Sequence, residues 1–199
     1  YEDLSDSKWK GRIAIRSSGN MYNQSLVSSL IANHGEATIE AWAKDFVGNF
    51  ARKPEGNDRA QIMAVANGEA DIAIANSYYI GLMLSGKKGE EQQAAARKVQ
   101  LHFPGQDGRG AHINVSGAGL MKNAPNKSNA VKFIEFLLGE EAQAHIVKNT
   151  YEYPMREGVA PSDLINQFGT GFKEDATPVA SYGEFNPTAV KLMDRVGWQ

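Results

Sequence analysis

The sequence predicts an α/β fold, with helices packed around strands that are joined by crossovers. Three observations predict it. Between Arg12 and Ala75 the hydrophobic pattern reads strand, helix, helix, helix, strand, which is the order that crossover connections produce. The chain has 199 residues, 42% of them hydrophobic, enough for a buried core in one large or two small domains. No internal repeat or low-complexity tract interrupts the pattern.

The elements follow in order. Trp9-Lys10 leads through Gly11 into Arg12-Ile-Ala-Ile-Arg16, whose alternation predicts a short strand. After a Ser/Gly/Asn turn, Asn23 to Asn33 reads as a helix with Leu26, Leu30 and Ile31 on one face, closed at His34-Gly35. Glu36 to Asn49 repeats Ile39, Trp42, Ala43, Phe46 and Phe50 at helical spacing. Asn57-Asp58 caps a third helix, Arg59 to Asn67, ended by Gly68. Asp71 to Ala75 is a second strand, and Gly86-Lys-Lys-Gly-Glu-Glu is a solvated loop. Val99 to Phe103 and the Gly-rich His112 to Met121 read as two further strands. Pro125-Asn-Lys-Ser128 caps an amphipathic helix through Phe133, Ile134, Leu137 and Leu138, stopped at Gly139; Glu140 to Lys148 is the next helix. Tyr151-Glu-Tyr-Pro-Met is extended because Tyr153 precedes a proline, and Pro187 to Val196 forms a closing helix.

Bulk properties exclude several functions. A formal net charge of −2, with 22% charged residues and no basic run, gives no reason to expect a nucleic-acid or membrane-surface partner. No stretch approaches the roughly 20 apolar residues of a membrane span. No signal peptide is read at Tyr1-Glu-Asp-Leu, which is polar from the start; a mature chain or a fragment would have none, so this says little about export. The absence of cysteine removes thiolate metal sites, thiol nucleophiles and disulfides together, and it fits an oxidising compartment.

The residues that point to a site are tyrosines. Tyr78-Tyr79 follows the apolar run Asp71-Ile-Ala-Ile-Ala-Asn76, and Tyr22 follows the turn Ser17-Ser18-Gly19-Asn20. Neighbours leaving a strand point to opposite faces, so two adjacent phenols pack a core poorly unless the backbone turns and aims both at one cleft. Two readings stand on chemistry alone. The commoner is an ordinary amphipathic rim. The other is a hard trivalent cation, ferric iron above all, held by phenolate oxygens, an extension of the hard–soft sorting of metal ligands.

Enzyme chemistry finds no comparable set. His34, His102, His112 and His145 show no i,i+4 metal pair and no HExxH arrangement. There is no Gly-x-Ser-x-Gly elbow. Gly105-Gln-Asp-Gly-Arg-Gly110 lacks the Gly-Lys-Ser/Thr ending of a phosphate loop and reads as a turn, while Glu69 and Asp71 border a strand start facing water. No enzymatic activity is expected.

Several stretches together resemble a known family. They are Lys8-Trp-Lys-Gly-Arg-Ile13, Arg16-Ser-Ser-Gly-Asn-Met-Tyr-Asn-Gln24, Asn57-Asp-Arg-Ala-Gln61 and Gly68-Glu-Ala-Asp-Ile-Ala-Ile-Ala-Asn-Ser-Tyr-Tyr79. Phe133-Ile-Glu-Phe-Leu-Leu138, Glu141-Ala-Gln143, Tyr151-Glu-Tyr-Pro154 and Ala189-Val-Lys-Leu-Met-Asp-Arg-Val-Gly-Trp198 complete the set. From first residue to last the chain resembles the ferric-iron-binding periplasmic proteins that serve ABC transporters, in the tyrosine-rich branch familiar from cyanobacteria. The resemblance implies a type II periplasmic-binding-protein-like fold, a mixed sheet flanked by helices, with one complete lobe plus part of the second. Residues 1–109 would be the C-terminal lobe with the tyrosine site, 110–156 a return segment contributing to the N-terminal lobe, and 157–199 a C-terminal helical segment. The N-terminal lobe itself would be missing, leaving the helix at 128–138 short of its packing partner.

The resemblance also implies roles. Tyr22, Tyr78 and Tyr79 would bind Fe3+. Ser18, Gly19 and Asn20 would seat a synergistic anion such as carbonate at a helix N-terminus. Asn57 and Asn76 would orient the ligands, and Arg16 and Arg59 would neutralise phenolates or the anion. Position 82 departs from the branch: it is leucine where a basic residue is expected. The implied partners are an ABC transporter permease and either the missing lobe or a second copy, in the periplasm or on an extracytoplasmic anchor. Two alternatives remain, a two-lobed binder of an oxyanion or polyamine and a non-transport sensor. The tyrosines argue against an oxyanion, which phenolates repel. No DNA-binding segment or basic face supports a sensor.

Overall fold

A computed structural model describes residues 1–169 and 171–199 of the chain. Its sheet is one parallel pair, β1 (Ile13–Ala14) against β2 (Ile72–Ala73), in register Ile13 with Ile72 and Ala14 with Ala73. Between them lie α1 (Met21–His34), α2 (Glu36–Gly48) and α3 (Asp58–Ala66), the crossover expected from the sequence. The caps are those the sequence supplies. Asn20 caps α1, Asn57 accepts from the Ala60 N–H at the start of α3, and Gly35 and Gly68 take the positive φ of 80° that each chain reversal requires.

Beyond β2 the chain forms α4 (Ser77–Leu84), α5 (Glu90–Ala96), α6 (Lys127–Leu137), α7 (Glu140–Thr150), α8 (Asp163–Asn166) and α9 (Val179–Arg195). Several expectations are corrected here. Val99–Phe103 and His112–Met121 are not strands; in this part of the chain the described residues form only the parallel bridge Ala111–Glu174. Val115, Leu120 and Met121 are exposed with no strand edge beside them, and Phe103 stacks on Phe172 at 4.0 Å instead. The polar stretch after Gly86 turns helical at α5, which buries only Ala95 and Ala96. α9 starts eight residues before Pro187 and carries it inside, where its ring supplies no N–H for the Gly183 carbonyl.

The main core lies between α1, α2 and α9. Leu26, Val27, Leu30 and Ile31 of α1 and Ile39, Trp42 and Phe46 of α2 meet Leu192, Met193 and Trp198, with β1 beneath. Phe46 is fully buried, 4.6 Å from Trp42 and 5.2 Å from Trp198 between ring centres. Each such side chain contributes about 1.5–3 kcal/mol by leaving water. A second cluster, Ile62, Ile80, Met83, Tyr151 and Ile165, holds α4. Gly81 sits at its tightest point, where a β-carbon would lie 2.7 Å from that of Tyr151. By contrast α6 contains no buried residue, and Val131, Phe133, Phe136 and Leu138 are exposed.

Candidate metal centre

Both strands end at the same side, because they are parallel and in register, and the helix following each starts just beyond. In open α/β sheets this is the crevice where ligands bind. Tyr22 is the second residue of α1; Tyr78 and Tyr79 are the second and third of α4. The tyrosine pair therefore does not leave a strand at all. Successive helical residues are roughly 100° apart, so a helix N-terminus aims two adjacent side chains at one crevice where a strand would splay them.

The three phenols converge. The Tyr22 and Tyr78 hydroxyls are 2.9 Å apart, and the rings of Tyr78 and Tyr79 lie 4.3 Å apart between centres. Burial pushes the Tyr78 hydroxyl well above the ordinary phenol range, and its contacts with the Tyr22 and Tyr79 hydroxyls add to this. Burial raises Tyr79 too, with the Asp58 charge contributing. Burial thus favours the neutral form of Tyr78 and Tyr79, and the Tyr78 hydroxyl shares a hydrogen bond with that of Tyr22. Two helix N-termini face it, and their partial positive charge favours oxygen anions.

Polar contacts knit the surrounding loops. Arg16, after β1, donates to Asp58 at 2.6 Å, and its guanidinium carbon is 5.7 Å from the centre of the Tyr22 ring. The other Asp58 oxygen accepts from the Asn76 N–H at 3.0 Å. The Asn76 side chain accepts from Asn114 at 2.9 Å, and Asn114 in turn meets Ser25, whose hydroxyl also lies 2.8 Å from His112 Nε2. A cavity of about 60 Å³ is lined by Tyr1, Tyr22, Asp58, Asn76, His112 and Asn114 among others. Burial pushes Tyr1 up to about 12 and His112 down to about 4, so the imidazole is neutral near pH 7.

The structure separates the remaining residues singled out by sequence. Ser18, Gly19 and Asn20 do form the turn before α1, but the Asn20 side chain already takes the Tyr22 and Asn23 N–H groups, and the Ser18 carbonyl accepts from Gln24. Asn57 and Arg59 line a different cavity, about 370 Å³, with Arg52, Glu69 and Gln92, and Arg59 donates to Gln92 at 2.9 Å. Leu82 packs in the second hydrophobic cluster, and the cation beside the phenols is Arg16. Asp58, His112 and Asn114 were missed. Asp58 reads as a cap residue, and the other two lie in a stretch that reads as a strand. Among the described residues no group of three or more His, Cys, Asp or Glu gathers.

Residues 1–168 match the bacterial extracellular solute-binding protein family. The whole chain is 52% identical to iron uptake protein A1 and 45% identical to iron uptake protein A2, both of Synechocystis, and covers 55% and 58% of them. The chain thus spans little more than half the length of these relatives. Among solved structures it superposes with a TM-score of 0.96 on the Trichodesmium protein IdiA (FutA) in complex with iron and citrate, at 55% identity, covering all of this chain and 62% of that one. A ferric binding protein of Campylobacter jejuni superposes at 0.94, with 41% identity and the same coverage.

Proposed function

The chain belongs to the family of bacterial extracellular solute-binding proteins and has a type II periplasmic-binding-protein fold, α-rich with a small sheet; from that premise we propose that it carries the ferric-iron site of an ABC importer's solute-binding component. Tyr22, Tyr78 and Tyr79 are the ligands, and their convergence at the ends of two parallel strands is the observation that carries the reading. A trivalent cation offsets the cost of deprotonating three phenols whose ordinary pKa is near ~10; a divalent one does so far less well. Iron is therefore taken up as Fe3+ and leaves on reduction. The role is delivery to a permease outside the cytoplasm, with no catalysis.

In the same reading, residues 1–109 and 157–199 build the tyrosine-bearing lobe and 110–156 runs toward the other. The exposed face of α6 packs against that other lobe, which the relatives' greater length can supply. Coordination is completed from there, by water, or by an anion such as carbonate. Three protein ligands alone leave the ion open to competing chelators.

Titration with ferric citrate tests the function. A visible phenolate-to-iron charge-transfer band is expected, bleached by dithionite and lost below pH 4 as protons reclaim the phenols. A chain that stays colourless, or holds iron equally well after reduction, rules the reading out.

A further inference from the structure

The three phenols sit in the first turns of two separate helices, α1 and α4, and one carboxylate touches the segment that leads into each. Asp58, the first residue of α3, is 2% exposed. One of its oxygens takes Arg16 Nη1 at 2.6 Å, on the loop leading to Tyr22; the other takes the Asn76 N–H at 3.0 Å, two residues before Tyr78. The Arg16 guanidinium in turn lies over the Tyr22 ring. We propose that Asp58 is a positioning residue that fixes the gap between Tyr22 and the Tyr78–Tyr79 pair, so that the phenol oxygens stand ready at the spacing a single hard cation needs.

The proposal rests on the iron-binding reading above and adds to it the strut that sets the geometry. A short carboxylate suits the position because it offers two acceptor oxygens to two donors approaching from different loops. Asparagine keeps one oxygen and turns an NH₂ group toward the Arg16 guanidinium or the Asn76 N–H, so one contact must open. The charge has its own logic. A bare carboxylate beside Tyr79 works against forming a phenolate there, but paired with Arg16 it adds no net charge to the wall of the site. Arg16 likewise serves Tyr22 by packing and charge together, which a flexible ammonium does less well.

The test uses D58N and R16K variants labelled with 3-fluorotyrosine, with two independent measurements. In the metal-free chain, ¹⁹F resonances of Tyr22, Tyr78 and Tyr79 are expected to shift in both variants. Tyr153, packed against Phe103 and Phe172, keeps its position. With ferric citrate, iron retention is expected to fall about 10- to 100-fold, as for loss of a group that orients metal ligands, and the charge-transfer band to move. A merely structural ion pair would change the melting temperature and leave the resonances and the band wavelength in place; that outcome overturns the proposal. If D58N does not fold, R16K decides alone. A wild-type chain without a band refutes the iron reading, and the metal-free resonances still decide whether Asp58 positions the phenols.

Discussion

The crevice at the ends of β1 and β2 and the stretch from Val115 to Leu138 contrast within one chain. At the crevice, Arg16, Asp58, Asn76, Asn114 and Ser25 find partners on elements up to 89 positions apart in sequence, and the phenols find one another. Along the second stretch Met121 is 76% exposed, Phe133 59% and Leu138 55%. The difference lies in what each kind of group needs. A polar site is complete once a few directional contacts are made, and these few residues provide those. An apolar face is complete only when enough area leaves water, at about 25 cal/mol per Å², which one amphipathic helix lying outside the two main hydrophobic clusters does not achieve. In the proposed reading the chain thus carries a metal site whose first contacts are built in, while the apolar face of α6 stays exposed among the described residues.

The largest test of that contrast is removal of the phenols. Y78F and Y79F each keep the ring and its packing and delete one oxygen. Each is expected to lower ferric-iron affinity by more than the roughly 100-fold that losing an outer contact costs, while the apo melting curve stays cooperative. The double variant should lose the charge-transfer band altogether. An unchanged affinity would mean that the crevice is as incomplete as the α6 face.

Next in size is a pH effect at the boundary between the two regions, where His112 anchors the outgoing segment to Ser25. Its folded pKa is depressed from 6.5 to about 4 by burial, so between those values the unfolded chain binds more protons than the native one. Stability therefore falls as pH drops from about 6.5 to 4, by up to about 3 kcal/mol, and is regained on raising the pH. The H112Q variant should flatten that limb in denaturant titrations. If wild type and H112Q show the same pH dependence, the anchor is not what couples the segment to the lobe.

G81A probes the crevice from behind. The added methyl would stand 2.7 Å from the Tyr151 β-carbon and 2.9 Å from Ile165 Cδ1, so α4 must shift or the cluster must open. A loss of about 1–3 kcal/mol is expected, as for overpacking elsewhere, with weaker iron binding because α4 carries Tyr78 and Tyr79. Full stability with altered iron binding would show that α4 moves as a rigid body.

The two regions also differed in how far the sequence disclosed them. Helices α1, α2, α3, α6 and α7 carry apolar residues at helical spacing and appear within a few residues of the expected bounds, although of these only α1 and α3 have a side-chain N-cap and the cap expected at 125–128 forms no such bond. Tyr78-Tyr79 and Tyr22 raised convergence only as the rarer of two readings, the family resemblance favoured it, and its cause, a helix starting at Ser77, was not legible. α4, with the sequence SYYIGLML, is apolar on most sides and follows β2 after only residues 74–76, so no periodicity marks it. α5, EEQQAAA, has no large apolar residue to give a period. Pro187 hid the first half of α9. The expected strands at 99–103 and 112–121 failed because strand propensity reports a fit to a pleated, half-buried surface, and that surface is not formed around Val115 and Met121. Asp58 went unrecognised as more than a cap because its partners, Arg16 and Asn76, are 42 and 18 positions away.

The smallest expected effect on stability is also the sharpest test of the second region. In the 199-residue chain, F133S and F136S replace side chains that are 59% and 52% exposed, so little apolar area returns to water on unfolding and the melting temperature should hardly move. Surface substitutions of this kind usually stay within about 0.5 kcal/mol. Association should respond instead. A contiguous apolar patch formed by Val131, Phe133, Phe136 and Leu138 favours contact with any matching surface, including a second copy, and light scattering of the wild-type chain should show concentration-dependent dimers or larger species that the double variant lacks. In a protein of the relatives' full length the same two substitutions should be costly, by several kcal/mol if the other lobe covers the face, because each buried phenylalanine then contributes its full transfer free energy. Equal stability loss in both lengths would mean that α6 packs within this chain, and that the contrast between a built site and an unbuilt face is not real.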